Sequence, residues 1–492
     1  MPKTISAPTL ALPSRPSEEP AARWLSSALR TEILEGRLRP GARLPATREL
    51  ASQTGLSRGT IVSAFESLAA EGYVEGTTGS GTYVNRVLPD DLLEVGRRSN
   101  REPKAQRPRH RRLAAFGRAA REFSGLEPHP ARAFRTNLPA LDLFPTTLWA
   151  QLVARRHRNA PASLLRGCGP MGYPPLQETL AEYLATRGVK CMPQQIAVVS
   201  GVQEAIDLCA RLFLDPGDRV CMEDPGYPGA ALVFAALGAR ISALPVDEEG
   251  MTIPGPRQRD ARLVYLTPGH QFPCGVCMSL PRRLALLEWA RTTGAPILED
   301  DYDSEFRYSG RPVPALQGLD RHGLVLFTGS FSKVLFPSLR LGYLVVPEDL
   351  VDTVAATRSI GSRHAPLLEQ AVLCDFITEG HFGRHLRRMR EIYAERSTTL
   401  VTAARERLGG LLELSDLEAG LQTAGWLGKG IDGEAAAQEA EKRGVEVTPL
   451  SRYTRGRVVR EGLQLGFAAV DPKEIRRGVR ELAAALEGIR RW

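Results

Sequence analysis

The sequence lacks several features that would point to a membrane protein, a secreted protein or a metalloprotein. Its 492 residues contain no apolar run near the ~20 residues that a membrane helix needs, and the opening Met-Pro-Lys-Thr shows no signal-peptide pattern. Only seven cysteines occur, and their one close pair, Cys274 and Cys277, has no second pair at metal-ligand spacing. His381 and His385 stand four residues apart, as zinc ligands on a helix can, but the glutamate of a metalloprotease is missing between them. We therefore expect a cytoplasmic protein with no membrane contact and no metal site.

Acidic residues are too few in the first quarter of the chain to balance its charge. Residues 1–124 hold 20 lysines and arginines against 13 acidic residues, so most of the net charge of +8 lies there. A basic surplus confined to one segment indicates a polyanionic partner. The bases crowd most densely after position 96, at Arg97, Arg98, Arg101, Lys104, Arg107, Arg109, Arg111, Arg112, Arg118 and Arg121. We interpret residues 89–130 as a solvated basic linker, which could also touch DNA phosphates without sequence preference.

Residues 18–88 have the pattern of a small DNA-binding domain. Apolar residues near helical spacing predict a helix from Pro20 to Glu35. Thr47 can cap a short helix over 48–53, and Ser57 can cap a second helix that runs to Gly72. Two short helices joined across residues 54–57 predict a helix-turn-helix, and strands over 73–75 and 82–84 predict a β-hairpin wing.

The helix that starts at Ser57 would expose Arg58 and Thr60 at its N-terminal end, where a recognition helix meets base edges. Arg43 and Arg48 lie nearby in sequence and could hold phosphates. The alternative is a small helical domain with no ligand. The candidate DNA-binding residues are Arg43, Thr47, Arg48, Ser57, Arg58, Gly59, Thr60 and Gly81.

The same segment resembles the GntR family of winged-helix regulators. The resemblance rests on the order of helix, helix-turn-helix and wing, and on four motifs. These are Gly36-Arg-Leu-Arg-Pro-Gly-Ala-Arg-Leu-Pro45, Ser57-Arg-Gly-Thr60, Ala70-Glu-Gly-Tyr73 and Gly79-Ser-Gly-Thr82. It implies that the partner of this domain is double-stranded operator DNA.

From residue 131 to residue 492 the pattern changes to alternating strands and helices. Short apolar runs recur between helical segments, at 196–199, 219–222, 263–266, 296–298 and 324–327. This alternation predicts a largely parallel sheet with helices on both faces, followed by a smaller α+β lobe that ends in a helix. Polar residues stand at the ends of the predicted strands, where ligands bind in such sheets.

Lys333 stands between two apolar runs, in a turn that also carries Ser330 and is followed by Arg340. Burial would favour the neutral form of this lysine, and a neutral amine is what an imine with an aldehyde needs. Ser330 and Arg340 suit a phosphate. The stretch therefore predicts a site for pyridoxal phosphate, although a surface lysine in a loop remains the alternative.

Two further stretches support this interpretation. Asp300 follows an apolar run, where a carboxylate could keep the pyridine nitrogen of the cofactor protonated, and Tyr302 is close enough in sequence to reach the ring hydroxyl. Upstream, a strand, a tight turn and a helix would aim free backbone N–H groups at an anion. The turn comprises Ser200, Gly201, Val202 and Gln203.

From about residue 131 the chain resembles fold-type I pyridoxal phosphate aminotransferases. Five motifs occur in the order of that family: Ser200-Gly-Val-Gln203, Glu223-Asp-Pro-Gly-Tyr227, Thr267-Pro-Gly-His-Gln-Phe-Pro-Cys-Gly275, Glu299-Asp-Asp-Tyr-Asp-Ser-Glu-Phe306 and Ser330-Phe-Ser-Lys333. The resemblance implies that Lys333 forms the internal aldimine, that Asp300 pairs with the pyridinium and that Tyr302 contacts the ring oxygen. It also implies that Tyr227 packs on the ring and that Ser330 and Arg340 hold the phosphate.

The complete arrangement, a winged helix-turn-helix joined by a basic linker to an α/β aminotransferase-like domain, resembles the MocR subfamily of regulators. It implies a homodimeric transcription factor that senses an amine, an amino acid or pyridoxal phosphate through Lys333. Two other functions remain open: a working aminotransferase with an attached DNA-binding domain, and a DNA-binding protein whose second domain is a structural relic.

Two positions depart from the aminotransferase pattern. The family usually places an arginine at Gln464, where it holds the substrate carboxylate, and Gln464 cannot supply that charge. Arg452 is a possible substitute, so Arg452 and Gln464 are the candidate effector-binding residues. Around Gly167 and Gly169 the family tends to have a tyrosine and an aspartate, which are missing here. These departures lower the expectation of ordinary amino-acid transamination.

Overall fold

The computed structural model describes residues 12–16, 19–77, 81–88, 112–122, 131–308, 313–414, 417–456 and 460–489. The chain divides into two compact units, residues 1–111 and 112–492. No helix within the described ranges is long and apolar enough to cross a membrane. Across the same ranges, no group of three or more His, Cys, Asp or Glu side chains is arranged to hold a metal ion.

The first unit is a three-helix core with a two-stranded wing. Its elements are α1 (Ala21–Leu34), α2 (Thr47–Thr54), α3 (Arg58–Ala70), β1 (Val74–Thr77) and β2 (Gly81–Val84). Helices α1 and α3 pack together because the apolar residues of each lie on one face, with Leu25, Leu29, Ile61 and Leu68 fully buried between them. The predicted helix-turn-helix and hairpin are therefore confirmed as structural elements.

The two predicted helix caps have different outcomes. Ser57 caps α3 as expected, since its hydroxyl accepts a hydrogen bond from the Thr60 amide at 3.1 Å. The cap assigned to Thr47 is wrong: Thr47 is the first residue of α2, and Ala46 occupies the cap position without a side-chain bond. Leu44 and Leu50 are both buried in the core, so packing rather than a local cap fixes where this helix begins.

The second unit is built on an eight-stranded mixed sheet in the order β3-β10-β9-β8-β7-β4-β5-β6. The strands are β3 (Ile196–Val199), β4 (Arg219–Asp224), β5 (Arg240–Asp247), β6 (Gly250–Met251), β7 (Ala261–Leu266), β8 (Ile297–Asp301), β9 (Val325–Ser330) and β10 (Gly342–Val345). Six of them run parallel, while β6 and β10 run antiparallel to their neighbours. The prediction of a largely parallel sheet is confirmed.

Helices cover this sheet and build the smaller lobe. They are α4 (Ala115–Ala119), α5 (Thr146–Arg158), α6 (Ala162–Arg166), α7 (Pro174–Ala185), α8 (Val202–Phe213), α9 (Pro228–Ala236), α10 (Leu280–Thr293), α11 (Leu316–Leu319), α12 (Val351–Ile360), α13 (Leu367–Thr378), α14 (His381–Arg407), α15 (Gly433–Lys442) and α16 (Pro472–Ile489). Separate apolar clusters lie against the two faces of the sheet, as expected for a doubly covered sheet.

The smaller lobe contains a four-stranded antiparallel sheet in the order β11-β12-β14-β13. Its strands are β11 (Leu412–Leu414), β12 (Gln422–Leu427), β13 (Thr448–Pro449) and β14 (Gly462–Gly466). The long helix α14 packs against the terminal helix α16 beside it. An isolated bridge between Phe134 and Gly466 ties the start of the second unit to the end of β14.

Part of the segment predicted as a linker is helical. Residues 115–119 form α4, and Ala120–Glu122 continue as a 3-10 turn. Helix α4 packs against α9, and the guanidinium of Arg211, near the end of α8, lies 5.8 Å from the ring centroid of Phe116. The end of this basic segment therefore contacts two helices of the second unit. Residues 89–111 and 123–130 lie outside the described residues.

Candidate functional site

The chemical residues of the second unit gather at one edge of its large sheet. Asp300 lies near the end of β8, Ser330 ends β9, and Gly201 follows β3. These strands are parallel, so their carboxyl ends meet at the same edge. Strand β8 extends to Asp301, beyond the apolar run 296–298 that predicts it. Its polar end stays in the sheet because it pairs in register with β9, where Asp300 lies opposite Thr328.

Lys333 lies in the turn between β9 and β10 and is half-buried. Its ammonium donates a hydrogen bond to the carbonyl of Asn137 at 2.8 Å. Burial lowers the pKa of Lys333 to about 8, against the opposing effect of the nearby Asp303 and Asp300 carboxylates. A sizeable fraction of this amine is therefore neutral, and so nucleophilic, slightly above neutral pH.

The two carboxylate oxygens of Asp300 differ in their hydrogen bonding. Its Oδ2 accepts a hydrogen bond from the hydroxyl of Tyr265 at 2.7 Å. Its Oδ1 is buried and has no hydrogen-bond partner in the described part of the chain. Burial raises the pKa of Asp300 to about 7, a shift that the Tyr265 hydrogen bond partly offsets. An N–H cation placed against Oδ1 would satisfy this atom and keep the carboxylate ionised.

The hydroxyl of Tyr302 lies within hydrogen-bond distance of the buried imidazole of His270. Its hydroxyl lies 3.1 Å from Nδ1 of His270, and the same nitrogen lies 2.9 Å from Oδ1 of Asp303. Burial raises the pKa of Tyr302 well above its ordinary value, so the phenol stays protonated. The sequence predicts a role for Tyr302 but none for His270 or Asp303, although both belong to motifs of the aminotransferase family.

The turn after β3 forms an anion cradle. Gly201 has a φ of +104° and caps the twelve-residue helix α8, whose first amides, those of Val202 and Gln203, have no acceptor among the described residues. The amide of Ser200 is already bonded to the Glu204 carboxylate at 2.5 Å, and the Ser200 hydroxyl is a further partner of that carboxylate, so this amide is not available to an anion.

Arg340 lies beside this cradle. A Cβ on Gly201 would stand 3.5 Å from the Arg340 guanidinium, which shows how closely the cation approaches the turn. Arg340 itself has a φ of +50°, in the left-handed region. Across the turn, the hydroxyl of Ser330 accepts a hydrogen bond from the Ser332 amide at 3.1 Å. Amides, a hydroxyl and a guanidinium around one space suit a phosphate.

Tyr227 supplies an aromatic wall to the same space. Its hydroxyl donates to Oε1 of Gln203 at 3.3 Å, and its ring meets Phe272 edge-on with centroids 5.6 Å apart. Burial raises the pKa of Tyr227 to about 12, with Asp300 raising it further and Arg340 opposing. The ring is thus within electrostatic reach of both the carboxylate and the guanidinium.

The two candidate effector residues lie in different environments. Gln464 is fully buried on β14, and its Oε1 accepts a hydrogen bond from the Tyr453 hydroxyl at 2.8 Å. Arg452 is exposed, and its guanidinium forms a two-pronged ion pair with Glu434 at 2.9 and 2.6 Å. Gln464 is therefore hydrogen-bonded to a tyrosine inside the domain, whereas the guanidinium of Arg452 is paired with a carboxylate at the surface.

Several site residues were missed by sequence analysis. Tyr265 and Asn137 contact Asp300 and Lys333 through long-range bonds that no local pattern indicates. Glu223 is buried near Asp300, and burial raises its pKa to about 8 while it accepts from the amide and hydroxyl of Thr267. Glu223 opens a recognised motif, so its position could have marked it as a candidate.

In the first unit, all of the candidate DNA-binding residues are exposed or partly exposed. Arg43, Arg48 and Arg58 are all exposed, with Arg58 at the first position of α3. The side chain of Arg43 lies over Gly81, where a Cβ would stand 2.8 Å from its Nε. Gly81 also has a φ of +119°, so this position favours glycine on two grounds.

Together these features define a class of protein: a winged helix-turn-helix joined to a fold-type I domain that binds pyridoxal phosphate. Residues 23–84 match the family of bacterial regulatory proteins of the gntR type, and residues 141–482 match the class I and II aminotransferases. The chain belongs to the MocR subfamily of GntR-type transcriptional regulators, which combines these two domains.

Relatives and solved structures agree with this assignment. The chain is 40% identical over 96% of its length to the probable rhizopine catabolism regulatory protein MocR of Rhizobium meliloti, covering 94% of that protein. It is 30% identical to the pyridoxine biosynthesis regulator PdxR of Corynebacterium glutamicum, with 96% and 97% of the two chains covered. The α-aminoadipate aminotransferase LysN of Thermus thermophilus, solved with N-(5'-phosphopyridoxyl)-L-leucine, superposes with a TM-score of 0.67 at 30% identity, over 72% of this chain and 92% of that one.

Proposed function

We propose that this protein is a cytoplasmic, homodimeric regulator whose binding to operator DNA responds to a small amine that reacts at Lys333. The observation that carries the proposal is that the candidate residues favour binding of an amine but not ordinary transamination of an amino acid. Lys333 provides an amine of lowered pKa, and Asp300 provides a buried carboxylate oxygen that has no hydrogen-bond partner among the described residues; both suit imine chemistry on a pyridine aldehyde. By the resemblance to aminotransferases, Gln464 replaces the arginine that would hold a substrate carboxylate, and its side chain is fully buried.

The residues present fit pyridoxal phosphate. Oδ1 of Asp300 would accept from the pyridine N–H, and Tyr302 would donate to the ring oxygen. The cradle at 201–203, with Ser330 and Arg340, would hold the phosphate, and Tyr227 would pack on the ring. When bound, the cofactor supplies an aldehyde that condenses reversibly with primary amines. Lys333 would be the primary amine that holds this aldehyde, and its lowered pKa keeps part of it in the neutral, nucleophilic form that such condensation needs.

A regulatory signal needs a difference between two conformations. An effector can shift the two winged helices only by binding one arrangement of the paired domains more tightly than the other. Couplings of this kind are typically about 1–3 kcal/mol, or roughly 5–150-fold in affinity. The contact of α4 with α9, which starts directly after Tyr227, is a route by which the site could act on the segment that leads to the DNA-binding unit.

The test compares DNA affinity and chemistry in one experiment. Purified protein loaded with pyridoxal phosphate is titrated onto a DNA fragment from beside its own gene, with and without a panel of primary amines. We expect at least one amine to change both the visible absorption and the DNA affinity. Lys333→Ala should still bind the DNA but lose the response to amines. Equal responses of wild type and Lys333→Ala would contradict the proposal.

The second candidate function is a working aminotransferase with an attached DNA-binding domain. It is favoured by the superposition on an aminotransferase at 30% identity. It is also favoured by the hydrogen bonds that position Lys333 against Asn137 and Asp300 against Tyr265. Keto-acid release, followed in the same titration, separates the two. Turnover of about 1 s⁻¹ or faster with unchanged DNA affinity would make the enzyme the correct assignment.

A further inference from the structure

Helix α3 exposes one apolar side chain near its N-terminal end. Val62 is 38% exposed, and among the described residues of the first unit only Leu34 and Val87 are large apolar residues of comparable exposure. The neighbouring Ile61 and Phe65 are buried in the core of the unit. A β-branched residue is also a weaker helix former than alanine. Neither burial nor helix formation therefore accounts for a valine at position 62, and its place on the helix has to be considered.

Val62 lies on the same side of α3 as Arg58. The two residues are four apart, so they follow each other by about one turn on one face of the helix. Arg58 is exposed, and its guanidinium has no hydrogen bond or ion pair with another described residue. Because the buried residues of α3 lie on the opposite side, a cation and an apolar side chain together face away from the core.

Gly59 leaves space beside these two side chains. It lies inside α3 with an ordinary backbone, and a Cβ there would meet only the Ser57 hydroxyl, at 3.8 Å. Neither the backbone nor packing therefore requires glycine at this position, although glycine weakens a helix relative to alanine. A missing side chain allows a binding partner to approach the helix closely. Such an approach is what a short side chain such as that of Val62 needs to touch a base.

The hydroxyl groups at the start of α3 are bonded to each other. Oγ of Ser57 accepts from the Thr60 amide at 3.1 Å and lies 2.8 Å from Oγ1 of Thr60. One turn beyond Val62, the exposed Glu66 brings a negative charge, which is unfavourable beside DNA phosphates. The first two turns of α3 are therefore the part that suits a DNA groove, and Val62 is their exposed apolar residue.

We infer that Val62 contacts the 5-methyl group of a thymine in the major groove and so helps to select that base. Thymine is the base that presents a methyl group there, and apolar side chains pack against it. One helical turn, about 6 Å, corresponds to roughly two base-pair steps, so this thymine should lie within two base pairs of the base that Arg58 contacts. The inference rests on the DNA-binding part of the proposed function and adds a residue that determines specificity.

Deoxyuridine provides the test, because it pairs as thymine does and lacks only the methyl group. The sequence that the wild-type protein protects beside its own gene is synthesised as two duplexes, one with thymine and one with deoxyuridine throughout. We expect the wild type to bind the deoxyuridine duplex roughly fourfold more weakly for each half-site, as the loss of one buried methyl group predicts. Single replacements should place the effect within two base pairs of the position at which Arg58→Ala relaxes the sequence preference. Equal affinity of the wild type for the two duplexes would overturn the inference.

A truncated side chain provides the second arm. Val62→Ala leaves the core intact, and it should bind the thymine duplex more weakly than the wild type does and bind both duplexes alike. Val87→Ala makes the same change at an exposed residue outside α3 and should keep the wild-type ratio of affinities. A Val62→Ala protein that still prefers thymine as strongly as the wild type would show that another residue, or the shape of the duplex, accounts for the preference.

Failure of the proposed function gives a different result. If the wild type binds no DNA from beside its gene, the DNA-binding assignment fails, and the inference with it. If the wild type binds DNA and distinguishes thymine through Val62 but no amine alters its affinity, the inference stands and the amine response is wrong.

Discussion

The imidazole of His270 lies with Nδ1 2.9 Å from Oδ1 of Asp303, and both side chains are buried. A buried carboxylate beside a ring nitrogen favours the tautomer that carries its proton on that nitrogen. Nδ1 is then a donor, so it cannot accept the proton of the Tyr302 hydroxyl 3.1 Å away. The pair therefore fixes the position of the Tyr302 oxygen and leaves its proton free for the cofactor.

We predict that His270→Ala weakens cofactor binding through Tyr302. Loss of one buried hydrogen bond of this kind costs about 1–3 kcal/mol, which is roughly 5- to 150-fold in affinity. Tyr302→Phe should have an effect of similar size, and the double variant should lose less than the sum of the two. The measurement is the dissociation constant of pyridoxal phosphate by absorption titration. Fully additive effects would show that His270 does not act through Tyr302.

Asp300→Asn should weaken cofactor binding by at least tenfold, because the amide cannot stabilise a protonated pyridine nitrogen as a carboxylate does. The visible spectrum of the bound cofactor should shift as well. Asp207→Asn is the matched control, since Asp207 is a half-buried partner of Arg211 on α8. Equal cofactor affinity of the wild type and Asp300→Asn would contradict the assignment.

The uptake of cofactor should depend on pH through Lys333. Its pKa of about 8 lies below the ordinary 10.5, so the neutral amine predominates above about pH 8 rather than above 10.5. The rate at which the cofactor-free protein takes up pyridoxal phosphate should rise roughly tenfold between pH 7 and 9 and then level off. Stopped-flow absorption measures this profile, and borohydride reduction should place the trapped group on Lys333. A rate that keeps rising beyond pH 10 would contradict the lowered pKa.

DNA affinity should respond differently to the two arginines of the helix-turn-helix. Arg58→Ala removes a side chain at the start of α3 and should relax sequence preference, at a cost of about 1–3 kcal/mol on specific DNA. Arg48→Ala should weaken all sequences alike and reduce the salt dependence. Arg37→Ala is the control, because that exposed guanidinium is already paired with Glu32 at 2.7 Å. Identical affinities of wild type, Arg48→Ala and Arg58→Ala across a salt series would count against this placement.

The contact of α4 with α9 should affect how strongly an amine changes DNA affinity, rather than DNA affinity itself. Phe116→Ala removes the ring beneath Arg211 and loosens the contact of α4 with α9. We expect unchanged DNA affinity without effector and a smaller shift when an amine is added. The ratio of DNA affinities with and without a responding amine measures this effect. A full response in Phe116→Ala would show that the signal does not pass through α4.

Much of the fold followed from local patterns in the sequence. The five apolar runs marked strands because buried parallel strands are continuously apolar, and Ser57 marked a helix start because its hydroxyl caps the next turn. Where packing decides, local reasoning failed. Thr47 has the right chemistry for a cap, yet Leu44 and Leu50 set the start of α2 one residue earlier.

In the candidate site, too, some residues could be predicted from local sequence and others could not. Residues with a distinctive local setting, such as Lys333 and Asp300, could be predicted. Asn137, Gln422 and Tyr453 could not, because their relation to the site exists only through contacts between distant parts of the chain. Arg452 was a possible substitute for the missing arginine at Gln464, but its side chain is exposed and pairs with Glu434.

The left-handed backbone of Arg340 carries a cost that glycine would not. A non-glycine residue held at a φ of +50° costs on the order of 1 kcal/mol in backbone strain. Arg340→Gly should therefore raise the melting temperature of the cofactor-free protein while weakening its hold on pyridoxal phosphate. Stability without ligand and affinity for ligand are thus opposed at one position. Selection for thermal robustness alone would remove the guanidinium, and the phosphate-binding role proposed for Arg340 would be lost with it.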